Sequence, residues 1–220
     1  MKCKKDMMLL YAVTDRAWVN EKGRYKSVYE QVEAALAGGA TCIQLREKDI
    51  KREKITKEAT EISKLCKQYK VPFLIDDDVE LAAICDADGV HVGQEDMSVE
   101  EARKKLDSNK IIGVSVHALG EALEAQAKGA DYLGIGAAFL TSTKENTHIM
   151  TRETMQAICA AVHIPVVAIG GINASNMKRL EGSGVDGVAL VSAIFSAFNI
   201  EETCHHLKQI ALQTFYQRES

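Results

Sequence analysis

The chain has 220 residues, 46% of them hydrophobic, and a formal net charge of −4. That length and apolar content suit a single globular domain spanning residues 1–220, with its core at about residues 8–217. The slightly acidic balance gives no basic stripe for nucleic acid, and no apolar run reaches the ~20 residues needed to cross a bilayer.

Apolar runs of four to seven residues alternate with longer stretches of helical period. The runs Leu9–Thr14, Cys42–Arg46, Phe73–Asp76, Gly89–Val92, Ile111–Val116, Tyr132–Gly136, Val166–Gly170 and Gly187–Val191 read as strands. They are continuously apolar, as expected of parallel strands covered on both faces. Helical patterns lie between them at Tyr25–Ala37, Lys54–Gln68, Glu100–Leu106, Gly120–Lys128, Thr151–Val162 and Ala174–Glu181, and a last helix spans Glu201–Phe215. Alternating β and α elements predict a parallel sheet. Eight repetitions predict closure into an α/β (β/α)₈ TIM barrel.

A weak internal repeat points the same way. Gly39-Ala40-Thr41, Ala87-Asp88-Gly89, Gly129-Ala130-Asp131 and Gly184-Val185-Asp186 each join a helix to a strand, before the second, fourth, sixth and eighth strands. Glycine there permits a positive-φ helix stop. Both prolines, Pro72 and Pro165, precede strands, where a missing N–H costs least.

In such a barrel the chemistry sits at the C-terminal strand ends. The last two ends carry Gly170-Gly171-Ile172-Asn173 and Val191-Ser192-Ala193-Ile194. Small residues followed by a helical start make a backbone cradle for phosphate. Earlier ends carry Gln44-Leu45-Arg46-Glu47-Lys48-Asp49, Asp76-Asp77-Asp78, Gly93-Gln94-Glu95-Asp96, Ser115 with His117, and Thr141-Ser142-Thr143-Lys144. Arg46, Lys48 and Lys144 are cations suited to phosphate oxygens. Asp76, Asp77 and Asp96 are hard oxygen donors, and carboxylates facing cations at a phosphate site imply Mg²⁺ between them. Two anion sites are therefore expected, one metal-dependent and one built from backbone. Asp78 reads as the cap of the next helix, and His91 and His117 as structural histidines. The six cysteines are scattered, with no Cys-x-x-Cys pair, and read as inert thiols. Cys204-His205-His206 lies on the last helix, where neighbours do not share a face. Met1–Asp6 is too short and charged for a secretory leader, so a cytoplasmic location is expected.

Six segments together carry a family resemblance. They are Tyr11–Arg16, Gln44–Asp49, Gly89–Asp96, Gly113–Ser115, Thr141–Lys144 and Ala168–Asn173. In order, and each at its strand end, they resemble thiamine-phosphate synthase from Tyr11 to about Phe195. The resemblance implies a transferase that joins hydroxymethylpyrimidine diphosphate to hydroxyethylthiazole phosphate and releases pyrophosphate. It implies that Gln44, Leu45, Arg46, Glu47 and Lys48 hold the pyrimidine diphosphate, with Gln44 near the aminopyrimidine, the cations near the diphosphate, and the Asp76 carboxylate beside that diphosphate. Asp77 and Asp96 would ligate Mg²⁺. Ser115 and Lys144 would contact the pyrimidine substrate, and Thr141, Ser142 and Thr143 the thiazole phosphate, whose phosphate would rest on Gly171, Val191 and Ser192. Arg46, Lys48, Ser115 and Lys144 would carry the catalysis.

Two positions depart from the family's pattern. Asp76 stands where the family usually has Asn, and Ala137-Ala138-Phe139-Leu140 stands where relatives often carry prolines. The stretch Leu140–Met150 is expected to close as a lid. Two other readings remain at this point: a thiazole tautomerase of the same barrel family, and a non-catalytic barrel that binds thiamine intermediates. Tautomerase relatives carry a histidine after the strand-six glycine, where this chain has Ala137. Small-molecule substrates are the expected partners, without nucleic acid or membrane, and the fold class is compatible with a homo-oligomer.

Overall fold

The computed structural model describes residues 3–19, 23–47, 50–140 and 149–216. Eight parallel strands close on themselves in chain order. They are β1 (Leu10–Val13), β2 (Cys42–Leu45), β3 (Phe73–Asp76), β4 (Gly89–Val92), β5 (Ile111–Val116), β6 (Tyr132–Ile135), β7 (Val166–Ile169) and β8 (Gly187–Leu190). Around them run α1 (Val28–Ala37), α2 (Arg52–Tyr69), α3 (Val79–Ile84), α4 (Val99–Lys105), α5 (Leu119–Ala127), α6 (Arg152–Ala161), α7 (Ser192–Phe195) and α8 (Ile200–Phe215). This is the expected (β/α)₈ barrel. All eight strands lie within the segments read from the sequence, shorter by a residue at some ends.

Successive side chains of a strand point to opposite faces, so the barrel sorts its residues by parity. Leu10, Ala12, Ile43 and Leu45 face outward and pack with the helices. Tyr11, Val13, Cys42, Leu74, Ile111, Tyr132, Val167 and Ala189 face the axis. A 3₁₀ turn at Lys5–Met8 covers the N-terminal mouth, with Met8 packed into the axial cluster.

The sequence repeat has a physical basis at that end. Thr41, Asp88, Asp131 and Asp186 each stand before an even-numbered strand. Thr41 Oγ1 accepts the N–H of Leu10 at 2.9 Å, Asp88 that of Phe73 at 2.9 Å, Asp131 that of Ile112 at 2.8 Å, and Asp186 that of Val166 at 2.9 Å. Each side chain ties its strand to the start of the preceding one. Two residues earlier the backbone turns through positive φ, at Gly39 (94°), Gly129 (92°) and Gly184 (90°), and at Asp86 (49°) in the copy that lacks glycine.

Two local expectations change. The pattern over Ala174–Glu181 yields only a 3₁₀ turn, Met177–Leu180. Asn173 Oδ1 accepts from Ser175 N–H, and Asn176 Oδ1 from Asn173 N–H; such local bonds compete with a helix. Conversely, α3 is a further helix, too short to show a period, and Asp78 caps it by accepting Leu81 N–H at 2.8 Å. All six cysteines are free thiols. Cys204 is buried while His205 and His206 are exposed. Burial pushes the thiols of Cys66 and Cys204 up to about 12.

Asp131 also pairs with Arg103 at 2.6 Å. Asp131→Ala leaves the Ile112 N–H without its acceptor, and is expected to cost about 1–3 kcal/mol in urea unfolding. Asp131→Asn keeps an acceptor and restores most of that loss.

Candidate active site

The strand C-termini open into a cavity of about 620 Å³ at one mouth of the barrel. Parity decides which residues reach it. On β2, Gln44 and the following Arg46 face the axis and line the cavity. Thr14, fully buried at the end of β1, fixes this corner. Its N–H donates to Gln44 O at 2.9 Å, and its Oγ1 accepts Arg46 N–H at 3.0 Å. Arg46 Nε lies 3.5 Å from Asp76 Oδ2, with both side chains partly buried.

The three consecutive aspartates after β3 separate. Asp76 and Asp77 line the cavity. Asp77 adopts φ 62° and donates its N–H to His91 O at 2.8 Å, while Asp78 N–H returns to Asp76 O at 2.7 Å. This tight turn presents Asp77 at the mouth and directs Asp78 to the α3 cap and an ion pair with Arg52. After β4, Asp96 lines the same cavity, and its Oδ2 accepts Gly93 N–H at 2.7 Å. A carboxylate offers about four lone-pair sites, so this bond leaves acceptor capacity for a cation. Ser98, rather than Asp96, caps α4.

Gly170 and Gly171 on one side, and Val191 and Ser192 beside them, complete the wall. Gly170 and Gly171 have φ of 101° and 64°. A Cβ on Gly171 would lie 2.2 Å from Leu140 O. Val191 stands at the N-cap position of the short α7, without a side-chain cap. The first N–H groups of a helix have no intrahelical acceptor and suit an anion; in α7 they belong to Ser192 and Ala193.

The structure thus brings Gln44, Arg46, Asp76, Asp77, Asp96, Ser115, Gly171, Val191 and Ser192 to one cavity. It does not bring Leu45 or Glu47 there. Leu45 is 2% exposed in the layer between barrel and helices. Glu47 turns outward too, with its side chain 3% exposed and bonded to Arg16 Nε at 2.7 Å. Burial pushes the Glu47 carboxyl above the ordinary range, and the Arg16 guanidinium opposes that shift. Both sit at odd parity relative to Gln44 and Arg46, a signal present in the sequence. Lys48, Thr141, Ser142, Thr143 and Lys144 lie outside the described residues, as does most of the expected lid.

Sequence reasoning missed a polar network along the inner wall of the cavity. His91 bonds Tyr132 Oη through Nδ1 at 2.7 Å and Ser115 Oγ through Nε2 at 2.8 Å. Tyr132 Oη bonds Tyr11 Oη at 2.9 Å, and Gln44 Nε2 donates to Tyr11 Oη at 2.6 Å. The axial parity of Tyr11, Gln44, His91, Ser115 and Tyr132 could have grouped them. His117 stays outside this network, its N–H bonded to Glu121 at 2.7 Å.

The fold and the cavity define a (β/α)₈ barrel with a polar, glycine-walled site at its C-terminal mouth. The sequence model of the family described as thiamine monophosphate synthase matches residues 10–194, and the chain belongs to that family. The thiamine-phosphate synthase of Clostridium acetobutylicum is 44% identical over 193 residues, covering 88% of this chain and 90% of that protein. The thiamine-phosphate synthase of Pyrococcus abyssi is 44% identical over 206 residues, covering 94% and 96%. Among solved structures, thiamine phosphate pyrophosphorylase from Pyrococcus furiosus superposes with a TM-score of 0.86 at 40% identity, covering 96% of this chain and 98% of that one.

Gly171→Ala sets a side chain against the Leu140 carbonyl at a left-handed φ. It is expected to destabilise the protein by about 1–2 kcal/mol, read as a lower Tm in thermal unfolding.

Proposed function

We propose that this chain is a thiamine-phosphate synthase, a transferase joining hydroxymethylpyrimidine diphosphate to hydroxyethylthiazole phosphate with release of pyrophosphate. The observation that carries this reading is one cavity holding Asp77, Asp96 and Arg46 opposite the wall of Gly171, Val191 and Ser192. That pairing suits two anionic substrates, one with a diphosphate and one with a single phosphate.

The donor set fits magnesium. Asp77 and Asp96 are hard oxygen donors on one cavity. Among the described residues no three His, Cys, Asp or Glu side chains gather closely enough to hold a metal alone. Mg²⁺ commonly takes one or two carboxylates and completes its shell with phosphate oxygens and water. When bound there it would neutralise charge on the departing diphosphate. Arg46 would share that task, aided by Lys48 and Lys144. Gln44 would orient the aminopyrimidine and Ser115 would contact the same substrate. The wall of Gly171, Val191 and Ser192, with Thr141, Ser142 and Thr143, would hold the thiazole phosphate so that its ring nitrogen faces the pyrimidine methylene. The methylene–oxygen bond breaks first, the pyrimidine ring stabilises the resulting cation, and the nitrogen attacks; no protein nucleophile is needed. Val13, Val167, Ile169 and Ala189 line part of the cavity and would limit water that could intercept the cation. No helix among the described residues is long and apolar enough to cross a membrane.

Pyrophosphate release should require both substrates and a divalent ion, and should stop on chelation. No release with both substrates and the ion present, or release without formation of the joined product, would contradict the reading. Asp77→Ala is expected to lower kcat/KM by about a hundredfold. Asp76 draws on the charge of Arg46, so Asp76→Asn frees the guanidinium for the diphosphate and should keep or raise activity. A total loss in that variant would show that Asp76 itself is needed.

A further inference from the structure

The network along the inner wall of the cavity has a direction. The Gln44 amide nitrogen donates only, and it donates to Tyr11 Oη at 2.6 Å. Tyr11 Oη therefore accepts there, and its one hydrogen is left for Tyr132 Oη at 2.9 Å. Tyr132 Oη, having accepted, gives its own hydrogen to His91 Nδ1 at 2.7 Å. With Nδ1 accepting, the neutral ring carries its hydrogen on Nε2 and donates to Ser115 Oγ at 2.8 Å. The Ser115 hydroxyl hydrogen is then the end of the chain, and Ser115 lines the cavity.

Burial keeps the two phenols protonated. Tyr11 is 1% exposed and Tyr132 fully buried. Desolvation holds both phenols well above their ordinary range, so both keep their hydrogens. The barrel makes room for the path: a Cβ on Gly113 would lie 2.1 Å from the Tyr132 ring, and one on Gly134 3.2 Å from the His91 ring.

We propose that the wire Gln44–Tyr11–Tyr132–His91–Ser115 makes Ser115 a hydrogen-bond donor aimed into the cavity, with Tyr132 and His91 as positioning residues. On the synthase reading above, the acceptor is an oxygen of the departing diphosphate; the direction of the wire does not depend on that reading. Ser115 donates without reorienting as negative charge grows, which is the condition for preorganised stabilisation. Reversing the head of the wire would reverse every bond and turn Ser115 into an acceptor facing an anion. Gln44 thus sets the polarity of a hydroxyl four bonds away across the barrel, besides touching substrate itself.

The test reads the His91 ring directly, by side-chain ¹⁵N NMR of the ligand-free full chain. The wild type is expected to show hydrogen on Nε2. Gln44→Glu puts an acceptor at the head of the wire, and the hydrogen is expected to move to Nδ1. Tyr132→Phe cuts the wire, and the signals should move toward the average of the two tautomers. In steady-state assays Tyr132→Phe should lower kcat about tenfold, the size of one lost hydrogen bond, with KM for the pyrimidine diphosphate within about twofold. An unchanged tautomer in a folded Gln44→Glu protein would overturn the wire. Should that variant not fold, Tyr132→Phe decides: wild-type kcat and an unmixed tautomer would overturn it equally. A wild type that releases no pyrophosphate would contradict the synthase reading instead, leaving the tautomer shift to judge the wire.

Discussion

The strand side chains at the mouth of this barrel are placed by the two-residue alternation of a closed parallel sheet. Each strand can send only every second side chain to the axis, and closure aims all eight sets at one line. The lower axial positions are filled by Met8, Leu74, Ile111 and Val167. The upper ones carry Gln44, Asp76, His91 and Ser115, which line the cavity. Apolar axial side chains below and polar strand ends above follow from this geometry, and the turns after the strands add Asp77 and Asp96 to the rim.

The rim holds charges of both signs. Arg46 faces Asp76 at 3.5 Å, while Asp77 and Asp96 hang from the neighbouring turns. Three carboxylates beside one described cation would repel a diphosphate, so the proposed chemistry requires a divalent ion to bring them together. The opposite wall meets its anion differently, with glycines and a helix start rather than side chains. On the proposed reading that contrast would separate the two substrates, one held largely through charge and the other against a wall shaped by Gly170 and Gly171.

Most of the architecture was legible in the chain. Eight apolar runs gave eight strands, and the Thr41, Asp88, Asp131 and Asp186 repeat proved to be a strand-to-strand tie at the N-terminal end. Short elements escaped notice because periodicity needs length: α3 has six residues, and the Asn173–Asn176 turn outcompeted a helical pattern. At the site, motif order located the right strand ends but not the facing of each residue. Leu45 and Glu47 belong to the segment that the family resemblance grouped with Gln44 and Arg46, and parity turns both outward. Parity could place the members of the wire on the axis but could not show their pairing. Those members come from five strands, and only the three-dimensional register places Tyr11 beside Tyr132 and His91 beside Ser115.

Anomalous diffraction from crystals grown with Mn²⁺ and pyrophosphate tests the central claim most directly. The account predicts one strong peak in the cavity, bridged by Asp77 and Asp96 and by pyrophosphate oxygens, with Arg46 on the same anion. A peak elsewhere, or pyrophosphate bound without either carboxylate near the ion, would contradict it.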